Sequence, residues 1–113
     1  IIGNKRRKAD RLARKFLSQA RKELGKKEAF YIALEKALHN YLKAKLHVET
    51  SEISIEKIAE ILNSKKVDES TIMEFSKVLE NCDYARYAPS TDVMMQQEYE
   101  NAKIAIAKID KQL

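Results

Sequence analysis

The chain contains one cysteine, one proline, two glycines and no tryptophan in 113 residues. A single cysteine excludes an internal disulfide, and nothing else in the composition asks for an oxidising compartment. So few glycines and prolines leave a β-sheet without its turns. No apolar run approaches the ~18 residues that cross a bilayer, and no stretch resembles a signal-peptide core, so this piece is expected to be soluble by itself. With only Gly3 and Gly25, a glycine-rich phosphate loop is excluded. The two histidines, His39 and His47, stand about 12 Å apart at ~1.5 Å of helical rise per residue, too far to share one site. Zinc needs three or four clustered ligands, so neither a metal nor any other cofactor is expected.

What is present is helix-forming. The residues are rich in Lys, Glu, Ala, Leu and Ile, and 44% are apolar, enough to bury the core of one domain. The expected class is all-α: a single compact bundle of about five helices, opening with an antiparallel helical hairpin. Its first arm covers about Lys5 to Leu24, with Ala9, Leu12, Ala13, Phe16, Leu17, Ala20 and Leu24 spaced by threes and fours, and Gly25 stops it. The second arm, about Lys27 to Leu46, repeats the pattern through Phe30, Leu34, Leu38, Tyr41 and Leu42. Ser54 caps a shorter helix carrying Ile55, Ile58, Ala59 and Leu62, which "NSKK" ends. Asp68 caps a fourth helix whose stripe is Ile72, Phe75, Leu79 and Cys82. A last helix begins near Ser90 or Thr91 and carries Met95, Tyr99, Ala102, Ile106, Ile109 and Leu113.

Charge is uneven along the chain. Residues 1–27 hold eleven Lys or Arg and two acids, net +9, whereas residues 28–113 are net −4. The first stretch therefore reads as a basic, juxtamembrane-like helix of the same domain, and the rest as a mildly acidic body. Lys5, Arg6, Arg7, Lys8, Arg11, Arg14 and Lys15 form the strongest signal. A solvated face is the plain account of such a run. Nucleic acid is the second, because any such cluster attracts phosphate, yet no aromatic residues interleave with it. A cluster set just inside a membrane, facing anionic lipid, is the favoured third, since Ile1 and Ile2 precede it directly. The start at Ile1 suggests a piece of a longer protein.

The stretch "IAEILNSKKVDESTIMEF" invites a helix-turn-helix reading. Its turn looks longer than the usual three or four residues, and the would-be recognition helix carries Asp68, Glu69, Glu74 and Glu80 against Lys77. Cys82 lies on an apolar stripe and reads as an inert core thiol. In "CDYARYAP", Tyr84 and Tyr87 are expected to lay their rings over the core. Arg86 would stack on a ring or reach helix-end carbonyls, and Pro89 bars further helix. A packed turn is the reading favoured, with partner docking through Tyr84, Arg86, Tyr87 and Pro89 as its rival. No nucleophile, base or metal set emerges, and the chain is not expected to be an enzyme.

The segments "AFYIALEKALHNYLKAKL", "ISIEKIAEIL", "VDESTIMEFSKVLENCDYARYAP" and "IAIAKIDKQL" together resemble the C-terminal cytoplasmic region of the BatD-type oxygen-tolerance (aerotolerance) proteins. The most specific piece is Cys82 followed by Ala85, Arg86, Tyr87, Ala88 and Pro89; the rest is general helical pattern. The resemblance implies a helical tail behind a transmembrane helix on the cytoplasmic side of the bacterial inner membrane. It also implies partnership with membrane-anchored von Willebrand A-type proteins and a MoxR-type ATPase in a stress-tolerance complex. It carries over no catalytic residue. The alternative from another class is a nucleic-acid-binding helical domain using the basic first helix.

Overall fold

The computed structural model describes residues 2–85, 87 and 91–113, with side chains from residue 8 onward. It is all-helical, with six helices among the described residues: α1 (Ile2–Phe16), α2 (Ser18–Lys22), α3 (Lys27–Leu46), α4 (Ile55–Ser64), α5 (Glu69–Tyr84) and α6 (Asp92–Gln112). The count rises from five to six because the first segment is interrupted at Leu17. That residue leaves helical geometry (φ −93°, ψ 6°) while its apolar side chain stays fully buried. Hydrogen bonds from Leu17 N to Ala13 O and from Arg21 N to Leu17 O, both 3.0 Å, carry the chain across the break.

The break redirects packing. α1 packs most extensively on α6 and touches α3 only lightly, while the short α2 lies on α3. These contacts do not describe the simple opening hairpin expected of the first two segments. Small residues favour close helix approach, and both α1 (Ala9, Ala13) and α6 (Ala102, Ala105, Ala107) bury them. Buried side chains from all six helices join one core cluster, in which Tyr41, Phe30 and Phe75 are the largest fully buried side chains. The Cα radius of gyration, 13.5 Å, is that of a compact globule, near the ~13 Å of a folded 100-residue domain.

Local chemistry explains most boundaries. Gly25 has φ +93°, and a Cβ there would meet only Asp92 Oδ1 at 3.9 Å, so the need for glycine is conformational and not spatial. α3 ends where His47 turns left-handed and donates its N–H to Lys43 O. Ser54 Oγ accepts from Lys57 N at 3.1 Å, and Thr91 Oγ1 accepts from Met94 N at the same distance, closing the first turns of α4 and α6. Asp68 stands at the N-cap of α5 but its side chain bonds nothing there; instead its backbone N–H donates to Gln112 Oε1 across the bundle at 2.6 Å.

The turn between α4 and α5 is shorter than expected. Asn63 and Ser64 remain helical, and left-handed Lys66 (φ 65°) reverses the chain, so only residues 65–68 connect the two helices. Length is thus no argument against a helix-turn-helix; the acidity of α5 is.

Candidate interaction surfaces

Cross-helix bonds fix relative directions. Tyr41 OH donates to Asp110 Oδ1 at 3.1 Å and Lys45 Nζ sits 3.0 Å from the same oxygen, so α3 and α6 end side by side. Gln112 Nε2 donates to Thr71 Oγ1 (2.9 Å), Lys108 Nζ to Glu74, and Asn81 Nδ2 to Glu98, so α5 runs antiparallel to α6. The ring of Phe16 meets Tyr41 edge-on at 5.4 Å. Burial, and then the Asp110 charge, raise the Tyr41 hydroxyl above its ordinary range.

The opposite end is different. There the start of α3, the end of α5 and the start of α6 leave Ile32, Tyr84, Tyr87, Val93 and Met94 exposed. Tyr84 is 71% and Tyr87 88% exposed, so neither ring covers the core, contrary to expectation; among the described residues of this turn, Ala85 is the buried one. A cleft of about 770 Å³ opens beside it, lined by Lys27, Glu28, Tyr31, Ile32 and Ala85. Arg86 and Pro89 lie outside the described residues. Met95 fills the core as expected, while its neighbour Met94 is half exposed, as is Leu113 at the far end of α6.

The basic face of α1 is set by packing. Ala9 and Ala13 turn inward, which leaves Lys8, Arg11, Arg14 and Lys15 on the outside. The side chains of Lys5, Arg6 and Arg7 lie outside the described residues. The fold adds bases that the α1 pattern does not show: Arg21 and Lys103 join Arg14 in lining one polar cleft of about 360 Å³ with Gln96, Tyr99 and Glu100. Glu100 pairs with Lys103 at 3.0 Å, so the cleft remains net positive.

Other chemistry-bearing residues have structural partners. His39 Nδ1 is 2.7 Å from Thr50 Oγ1, a fully buried hydroxyl, and so ties the α3–α4 connection to α3. Cys82 is buried at 1% exposure, as its stripe implies. Burial raises the Glu98 carboxyl, opposed by hydrogen bonds from Asn81 at 3.1 and 3.2 Å and by the charge of Lys77. Among the described residues no group of three or more His, Cys, Asp or Glu is placed to hold a metal ion, and no helix is long and apolar enough to cross a membrane. Comparison of the chain with protein-family models, with curated proteins and with solved structures found no match.

Proposed function

We propose that the chain is a non-enzymatic interaction module of a membrane-anchored envelope protein of the BatD type, acting in oxygen or stress tolerance through a membrane protein complex. The observation that carries this reading is the uncovered end of the bundle. Large apolar and aromatic side chains gathered on one exposed face mark an interaction surface, and Tyr and Met are the types that interfaces enrich. The basic face of α1 supplies the second contact, with anionic lipid on the cytoplasmic side of the membrane. Von Willebrand A-type proteins and a MoxR-type ATPase are the partners that the family resemblance names, and Tyr84 and Tyr87, with Arg86 and Pro89 in the same turn, are the residues proposed to meet them.

Calorimetric titration of the chain with the soluble domain of such a von Willebrand A-type protein and with the MoxR-type ATPase tests the reading. Saturable binding that fails for Tyr84→Ser/Tyr87→Ser supports it, and absence of binding to both partners removes it. A parallel arm compares vesicles containing phosphatidylglycerol with duplex DNA at physiological salt. The vesicles are expected to bind in a salt-sensitive way and to lose the Lys8→Gln/Arg11→Gln/Arg14→Gln/Lys15→Gln variant, while tighter binding to DNA would transfer the basic face to the nucleic-acid reading.

A further inference from the structure

The α4–α5 pair has the length of turn that a DNA-reading motif uses, yet it presents the wrong charge for phosphate. What it presents instead is an open groove of about 640 Å³ between the two helices. Its apolar lining is Ala59 from α4 with Ile72 and Met73 from α5, and Met73 is 66% exposed. The rim is acidic on both sides, with Glu56 and Glu60 on α4 and Glu69 and Glu80 on α5. Lys77 is the one base in the lining, and Lys57 outside it answers Glu60 at 3.3 Å. Glu56, Glu69 and Glu80 have no ion pair among the described residues. The hydroxyl of Ser76, also in the lining, is buried and has no hydrogen-bond partner among the described residues.

We infer that this groove docks a basic amphipathic helix of a partner protein. Two helix walls with an apolar strip between them accept the apolar stripe of a third helix, and an exposed, adaptable methionine in the lining lets different stripes seat. Acids along both walls select lysine and arginine on the flanks of that stripe and reject acidic helices. The same acids exclude nucleic acid and anionic lipid, which carry like charge. A second copy of this chain is disfavoured as occupant, because the apolar side of its own basic α1, at Ala9 and Ala13, is already buried in the fold. The inference rests on the chain being an interaction module. Because the groove is formed by α4 and α5 and not by the uncovered end or the basic face, its failure and theirs are separable.

The test uses a synthetic helical peptide with one leucine stripe and lysine elsewhere, and a control with the same stripe and glutamate in place of lysine. Binding is followed by amide chemical-shift mapping and by fluorescence anisotropy. The expected result is a saturable complex of the lysine peptide with shifts confined to α4 and α5. Affinity should fall about tenfold in Glu56→Gln/Glu69→Gln/Glu80→Gln, since each exposed charge contributes modestly, and fall again in Met73→Ser. All four positions are outside the fully buried core, and retention of the wild-type amide pattern away from the groove confirms that the variants fold. The inference is overturned if the lysine peptide does not bind, if the glutamate peptide binds equally, if the triple variant binds unchanged, or if the shifts fall on the uncovered end. Concentration-dependent dimerisation of the chain alone, abolished by the triple variant, would also overturn it by making a second copy the occupant.

Discussion

The two ends of the bundle are built on opposite terms. Where α3 and α6 end and α5 begins, polar groups are drawn into pairs: Tyr41 and Lys45 on Asp110, Gln112 on both Thr71 and the Asp68 backbone. Where α3 and α6 begin and α5 ends, Ile32, Tyr84, Tyr87, Val93 and Met94 stand in solvent. Buried polar groups left unpaired would cost folding free energy, so the closed end fixes how the helices meet. Apolar groups left wet cost little individually and remain available to a partner. The comparison separates residues that hold the fold from residues that are free to act.

The sharpest way to break it is at Tyr41. Its ring is fully buried, meets Phe16 edge-on and sends its hydroxyl to Asp110. Tyr41→Ala removes all three contributions and is expected to destabilise by about 3–5 kcal/mol, the range for large aromatic truncation in a core. Denaturant titration measures it. A cost near zero would mean that the closed end does not hold the helices together.

Tyr41→Phe sharpens the same point. The ring stays, Lys45 still answers Asp110, and the expected loss is about 1 kcal/mol, the net worth of one hydrogen bond. It also changes the alkaline limb. Because the folded-state hydroxyl is raised above its unfolded value near 10, Tyr41 contributes stability that is whole below that value and is lost as pH rises toward the folded one. Wild type should therefore lose stability above about pH 10 more steeply than Tyr41→Phe. Equal slopes would remove Tyr41 from the account of alkaline unfolding.

A smaller effect comes on the α5–α6 seam toward the uncovered end, where Asn81 meets Glu98. Burial raises the Glu98 carboxyl in the folded state, so its stabilising part is present at acid pH and declines as pH rises through the folded value. Glu98→Gln keeps an acceptor for Asn81 and has no charge to desolvate. It should melt at or slightly above wild type at pH 7, with the gap closing toward pH 4. A clear fall in melting temperature at pH 7 would show that the charge itself is needed.

How much of this could be read in the residues depends on the range of the interaction. Segment α3 and its limits follow from periodicity, Gly25 and the apolar spacing from Phe30 to Leu42. Ser54 and Thr91 follow from side-chain capping, which is local. The break at Leu17 has no local signal: no glycine or proline stands there, and the spacing of threes and fours continues through it from Ala13 to Ala20. Its cause is tertiary, since α1 must reach α6 while α2 stays on α3. The same holds for surfaces. The basic run of α1 is visible in sequence, but Lys103 joins Arg14 and Arg21 only because α6 lies alongside. The acids of α5 are visible as a repulsion toward phosphate, while the groove that they rim requires α4 beside them. Tyr84 and Tyr87 depart furthest from their local pattern: a turn flanked by aromatics reads as packed, yet the surrounding helices leave both rings in solvent.

The most direct measurement is the thermal stability of Tyr84→Ser/Tyr87→Ser beside that of Tyr41→Ala. With both rings in solvent, the double variant should melt with wild type, within about 0.5 kcal/mol, while Tyr41→Ala melts far lower. A double variant that loses stability on the scale of Tyr41→Ala would contradict the division between a closed end that holds the fold and an uncovered end that is free to bind.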